Sequence, residues 1–308
     1  MTVCVAALGS GRVVGVSDRM ITAGDIQYEP QQAKVWPLTS SIAAMYSGDT
    51  AIQTEVLKDT ALRIGPKISA NPTEWLSVRE VAQTYGECFQ TARLIRAERA
   101  ILRPLGLTTQ LFLDQMQTMD SDVVRQLVNK LDSYQFFEPN SALIVGVDED
   151  GYQEPGKKRA YAHIYVAHEA EVTCQDRVGF AAIGIGTSHA ESQFMFAGYD
   201  SKWTFPKTLL LAHAAKKRAE ASPGVGRATD MFAIGPALGS YFVIGDHVVK
   251  ELDENFNQAL KRIQKANKKS EERMTKFDQE LSRRVADSKQ AISGSQPGNP
   301  ITSETPQT

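Results

Sequence analysis

The chain has few cysteines, almost no net charge and no long apolar run, and each shortage narrows its class. Cys4, Cys88 and Cys174 are an odd number in 308 residues, scattered and without metal-ligand spacing, so they read as reduced thiols of a cytosolic protein. A formal net charge of −2 argues against a general binder of nucleic acid or of a membrane surface. No apolar run reaches the roughly 18 residues of a membrane span, and the N-terminus has neither the basic nor the apolar region of a signal peptide. The expected compartment is the cytoplasm.

What is present is concentrated in the first fifty residues. Thr2–Leu8 and Arg12–Ser17 are β-branched, apolar runs joined by Gly9-Ser10-Gly11, the pattern of a β-hairpin with a three-residue turn. A turn centred on Ser10 pairs positions whose numbers sum to about 20, so that Thr2 faces Asp18. A second hairpin, Lys34–Leu38 and Ser41–Tyr46 about Thr39-Ser40, puts Lys34 near Met45 and Gly48 just beyond it. If the two hairpins share a sheet edge, a hydroxyl, a carboxylate, an ammonium and a glycine amide meet at strand ends.

Those groups suit one chemistry. Thr2 is small enough to permit enzymatic removal of Met1, which leaves a hydroxyl and a free α-amine on one residue. Such an amine titrates near ~7.7–8.0, against about 10.4 for a lysine, and can act as a base at neutral pH. It is a known activator of a threonine hydroxyl. A nearby Lys34 would lower the proton affinity of both groups, and Asp18 would keep Lys34 charged and oriented. The Gly48 N–H could stabilise a tetrahedral oxyanion. Singly, each feature is ordinary: a threonine after Met1, a solvated Asp-Arg turn, a surface lysine, a Ser-Gly-Asp loop. Their joint spacing carries the reading.

The order Thr-Val, then Val-Val-Gly-Val-x-Asp-Arg-x-x-Thr-x-Gly, then Lys-Val, then Ser-Gly-Asp-Thr-Ala resembles the proteasome β-subunit family of N-terminal-nucleophile hydrolases. It also resembles that family's simpler bacterial peptidase, which partners an ATP-driven unfoldase. The resemblance implies an α/β protein built as a four-layer αββα sandwich. It places the nucleophile on Thr2, its acidic partner on Asp18, the lysine on Lys34 and the oxyanion glycine on Gly48. Arg19, Thr22 and Gly24 match as well, and the family uses the Thr22 position for backbone hydrogen bonds to an extended substrate. The implied pocket is lined by Ile21, Gln32, Trp36, Tyr46 and Thr50. As in the simpler members, no propeptide is expected. The implied partners are a peptide or protein substrate, copies of the same chain in a ring-like homo-oligomer and an ATP-driven unfoldase. No metal, cofactor, nucleic acid or membrane is expected.

Two segments depart from the family. Gly184-Ile185-Gly186 stands where Gly-Ser-Gly is usual, so a hydroxyl near the nucleophile is missing. The Asp and Ser that help hold the nucleophile's amine fall near Ser222 and Val225. These departures keep two alternatives open, a proteasome-fold scaffold without turnover and an amidase for small non-peptide substrates.

Along the rest of the chain, Asp49-Thr50-Ala51 caps a helix expected to run to about Leu62 and to end at Gly65-Pro66. A second helix is expected from Trp75 to about Leu102. Residues 104–138 read as a helical insertion, with helices over Thr108–Met119 and Ser121–Tyr134. Strands are expected at Ala142–Val147, Ala160–Val166 and Val172–Ile183, with a turn at Asp148–Gly151. Helices follow at Ser188–Tyr199 and Lys207–Ala221, then strands at Asp230–Ile234 and Tyr241–Ile244. His163 and His168 read as ordinary histidines, because an i,i+5 pair on a strand points to opposite faces. Adjacent Ser188 and His189 diverge on a helix and are not expected to form a triad. The expected organisation is a domain over 1–248, an amphipathic helix over 249–290 and a disordered tail over 291–308.

Overall fold

The first two strands do not alternate polar with apolar residues because both their faces are covered, as expected of doubly buried strands. In β1 (Val3–Gly9) every residue is buried, and in β2 (Arg12–Ser17) all but Arg12 are. Successive side chains nevertheless take opposite faces. Cys4, Ala6 and Leu8 join a core with Met45, Leu143 and Val145, while Val3, Val5 and Ala7 pack with Leu211, Ala212 and Ala215.

The computed structural model describes residues 2–23, 26–31, 33–70, 75–149 and 160–293. Among these residues the fold is mixed α/β, with seven α-helices and three antiparallel sheets. One five-stranded sheet has the order β10-β1-β2-β11-β12, with β10 Phe180–Gly184, β11 Asp230–Ile234 and β12 Tyr241–Val243. The other has the order β5-β6-β7-β8-β9, over Val35–Pro37, Ile42–Ser47, Ser141–Asp148, Tyr161–His168 and Glu171–Cys174. A two-stranded ribbon pairs β3 (Ile21–Ala23) with β4 (Ile26–Tyr28).

Three apolar cores follow from this arrangement. Side chains of both five-stranded sheets form one. In a second, Ile42, Ala44 and Tyr46 of β6 pack with Val56 and Leu57 of α1 (Thr50–Ala70) and Tyr85 and Phe89 of α2 (Val78–Ala97). In the third, β1 and β2 pack against α5 (Thr187–Phe196) and α6 (Phe205–Ala219).

Several expectations need correction. The two N-terminal hairpins do not share a sheet edge; they belong to the two different five-stranded sheets, whose facing residues meet in one core. The first turn is a two-residue turn, with Ser10 at φ 51° and Gly11 at φ 73°, so Cys4 pairs with Ser17 and Gly9 with Arg12. Positive φ at both central positions matches the twist of the flanking strands, which the expected three-residue turn does not need. In the second hairpin Val35 pairs with Met45, one step from the expected register. Helix α1 continues through Gly65 and Pro66 to Ala70. The carbonyl that Pro66 leaves unpaired belongs to Leu62, an exposed residue, so water can satisfy it.

The insertion holds α3 (Thr109–Gln115) and α4 (Ser121–Asp132), which close over Leu102, Phe112 and Leu127 as a small core of their own. The stretch expected as one strand over Val172–Ile183 divides into β9 and β10. The expected turn at Asp148–Gly151 falls partly outside the described residues.

Two compact units divide the chain at Leu252, four residues beyond the expected boundary. Leu252 is buried in the core of the first unit, which explains the shift. Helix α7 begins at Asp246 and runs to Ser293; in the second unit its Leu260, Ile263, Met274 and Phe277 are exposed. Residues 294–308, most of the expected tail, lie outside the described residues. No helix among the described residues is long and apolar enough to cross a membrane.

Candidate active site

Thr2 continues the row of Cys4, Ala6 and Leu8 that faces the space between the sheets, one residue before β1 begins. It is only 2% exposed. The corrected register sets Asp18 opposite Val3. The Asp18 N–H donates to the Val3 carbonyl at 3.2 Å, and the Val3 N–H donates to Asp18 Oδ1 at 3.1 Å. The Thr2 hydroxyl donates to the same carboxylate oxygen.

Lys34, just before β5 in the other sheet, completes the group. Its Nζ donates to Thr2 Oγ1 at 2.5 Å, to Asp18 Oδ1 at 3.1 Å and to the Met20 carbonyl. An ammonium has three protons, and here each has an acceptor. That matters because Lys34 and Asp18 are both buried, and a buried charge without partners is strongly destabilising. The Thr2 hydroxyl therefore accepts from an ammonium while donating to a carboxylate, the arrangement expected of a hydroxyl prepared to lose its proton.

The second carboxylate oxygen of Asp18 is held from the far side of the fold. Asp18 Oδ2 accepts from the Met20 N–H at 3.2 Å and from the Gly226 N–H at 2.7 Å. The Gly226 loop is fixed by Lys216 on α6, which is fully buried and donates to the carbonyls of Gly226 and Arg227 at 2.9 Å and to Glu220 at 2.7 Å. Burial lowers the proton affinity of Lys216, and Glu220 works against that. Next to Asp18, Arg19 makes a bidentate pair with Asp230 at 2.6 and 2.9 Å, tying the end of β2 to the start of β11.

Sequence reasoning missed Lys216, Gly226 and Asp230 as supports. One signal was available: Leu209, Ala212, Lys216 and Ala219 fall at helical spacing on the buried face of α6, and a lysine in such a stripe needs acceptors. Ser222 and Val225 play no such part. Ser222 is buried at the helix end, and Val225 packs in the core behind β1.

Gly48 sits at the end of β6 with φ 102°, and a Cβ there would fall 2.6 Å from Asn140 Oδ1 and from the Pro139 carbonyl. Only glycine fits. Asp49 caps α1, accepting from the N–H groups of Ala51 at 2.8 Å and Ile52 at 3.2 Å. A cavity of about 230 Å³ opens beside Thr2 and Lys34, and its walls include Ile21, Thr22, Tyr46, Gly48 and Thr50. Ile21, Thr22, Tyr46 and Thr50 are among the residues expected to meet substrate, and Gly48 is the expected oxyanion donor. Trp36 is not among the walls, because it packs against the core beneath α1 and α2. Gln32 and Gly24 lie outside the described residues.

On its other side Thr2 meets the β10–α5 turn. The Gly186 N–H approaches the Thr2 carbonyl at 3.4 Å, and Gly184, at φ 95°, would place a Cβ 2.3 Å from that carbonyl oxygen. Ile185 carries no hydroxyl and is half exposed. The Thr187 hydroxyl donates to the Gly184 carbonyl at 2.6 Å. Ser188 and His189 are both exposed on α5.

Burial, opposed by Lys34, pushes the Cys4 thiol up to about 12, so it stays protonated. His163 lies between Asp148 at 3.1 Å and Asp176 at 2.6 Å, while His168 bonds the Ser141 hydroxyl at 2.9 Å.

The site thus brings Thr2, Asp18, Lys34 and Gly48 to one point between two sheets. No protein-family model matches the chain, and no curated protein matches it.

Proposed function

We propose that the chain is a threonine-type N-terminal-nucleophile amidohydrolase, a peptidase of the proteasome-like αββα architecture. One observation carries the reading: Lys34 Nζ stands 2.5 Å from Thr2 Oγ1, and Asp18 bonds both. Two further features support it. Helices flank each five-stranded sheet, with an apolar core where the sheets face, and the cavity beside Thr2 includes Ile21, Tyr46 and Thr50 of the five residues implied for the pocket.

Removal of Met1 frees the Thr2 amine. That amine takes the hydroxyl proton as Oγ attacks the amide carbonyl, while Lys34 stabilises the developing alkoxide. The Gly48 N–H faces the tetrahedral oxyanion. Such a donor is worth about 2.7–4 kcal/mol where it has been removed. Collapse breaks the C–N bond, the leaving amine takes the proton, and water then hydrolyses the ester on Thr2. Asp18 holds Lys34 and the hydroxyl in register, and its other oxygen is anchored by Gly226. Thr2 is steadied from the β10 side by backbone rather than by the serine hydroxyl that Ile185 replaces. On this reading the chain works in the cytoplasm as a ring-like homo-oligomer supplied by an unfoldase, and its native mass is the corresponding measurement.

The test is digestion of a peptide library by wild type, Thr2→Ser and Thr2→Ala, read by mass spectrometry. Cleavage by wild type and Thr2→Ser, with none by Thr2→Ala, is expected. Equal cleavage by Thr2→Ala would reject the assignment.

A further inference from the structure

A second and larger cavity adjoins Thr2, and Lys34 is not among its walls. Its volume is about 730 Å³, and Thr2, Ser47 and Gly48 line it as well as the smaller one. Cavities of roughly 300–1,000 Å³ with mainly apolar walls are the usual size for holding a small organic ligand. The smaller chamber, at about 230 Å³, falls below that range. The apolar walls of the larger one come from β8, the turn before β10, β10 itself, the turn after it and α5: Val166, Val178, Phe180, Ile183, Ile185 and Met195. Glu191 also lines it, and burial raises the proton affinity of its carboxyl. Lys34 lines only the smaller chamber and Glu138 lines both, while the larger chamber carries most of the apolar wall.

We propose that this cavity is the principal recognition site for substrate, and that it takes an apolar group of several carbons attached next to the reacting amide. The inference rests on Thr2 as the reacting group. A carbonyl at Thr2 Oγ1 can send one substituent into the small chamber and the other into the apolar cavity, because the same two residues, Thr2 and Gly48, wall both. Ile185 gains a role here. It departs from the expected serine, and it supplies apolar wall where a hydroxyl would not. The apolar group can come from an alkyl chain or from bulky peptide side chains, and the chemistry of recognition is the same.

The test separates binding from turnover. The full-length Thr2→Ala protein is titrated calorimetrically with butanamide, hexanamide and octanamide, and with an acetylated Leu-Leu amide as the peptide arm. Burial of each added methylene should tighten binding about fourfold, so octanamide, with four more, should bind about 250-fold tighter than butanamide. Val178 and Met195, 50% and 69% exposed at the rim, allow a second variant that spares the core. Val178→Asp with Met195→Asp should weaken octanamide by about tenfold or more and butanamide by about twofold or less. Affinity independent of chain length, or octanamide binding unchanged in the double variant, would overturn the proposal. Octanamide or Leu-Leu amide competing for the site identifies the alkyl or the peptide source. If wild type binds these amides in the expected order but Thr2 never acquires an acyl group, the cavity stands and the nucleophile assignment fails. Acylation with no chain-length dependence gives the reverse.

Discussion

On one side of Thr2 its hydroxyl meets Lys34 and Asp18, charged side chains at the ends of two hairpins; on the other, its carbonyl meets the backbone of Gly184 and Gly186 beside an apolar cavity. The first side is a small set of buried charges in which every ammonium proton is used. The second meets Thr2 through backbone and has far more room. The contrast separates the group that would prepare the hydroxyl from the surface that would select what it attacks. It also shows where the fold is intolerant, since buried charges depend on every partner while an apolar wall can be altered piecemeal.

The largest effect should come from the charged side. Lys34→Ala should slow labelling of Thr2 by an epoxyketone-type probe by about 10²–10⁴, the range for losing a positioned acid–base group, when measured below the variant's lowered melting temperature. Unchanged labelling would show that Lys34 does not tune the hydroxyl. Next is the anchor behind Asp18. A Cβ on Gly226 would stand 2.0 Å from Glu29 Oε1 and 2.9 Å from Met20 Cβ, so Gly226→Ala should destabilise by about 1–3 kcal/mol through overpacking. It should slow labelling less than Lys34→Ala does; a melting temperature equal to wild type would remove Gly226 from the support.

His163 offers a pH test remote from the Thr2 hydroxyl. Burial disfavours its charge, but Asp148 and Asp176 outweigh that and raise its pKa from 6.5 to about 10. A raised folded pKa stabilises fully below about 6.5, and the contribution fades as pH rises towards about 10. Thermal melting should therefore fall across that window in wild type and fall less in His163→Gln. Parallel curves would sink this assignment. The smallest effect belongs to the apolar side: Ile185→Ser should change labelling by about threefold or less, as surface substitutions do. A large gain would mean that the missing hydroxyl, not the cavity wall, is what this position governs.

The sequence was most legible where neighbours in the chain are neighbours in space. The strand runs, the cap at Asp49, both insertion helices and the closing strands all follow from local pattern. Thr2, Asp18, Lys34 and Gly48 could be named because each sits at a strand end fixed by its own hairpin. Register was harder, since a two-residue turn at Ser10-Gly11 and a three-residue one use the same residues and differ by one position. That the hairpins lie in different sheets was not visible locally; it follows from both faces of β1 and β2 needing cover. The Gly226 amide and the Lys216 brace lie about two hundred residues from Asp18, and no spacing rule joins them. The large cavity was invisible for the same reason, being assembled from β8, β10 and α5.

The most direct measurement is the mass of the native N-terminal peptide before and after reaction with the epoxyketone probe, which needs both an amine and a hydroxyl on one residue. A peptide beginning at Thr2, gaining one probe mass on that residue, is the predicted result. Met1 still attached to Thr2 in the native protein, or no adduct on Thr2 at any pH between about 6 and 9, around the titration of an α-amine, would contradict it.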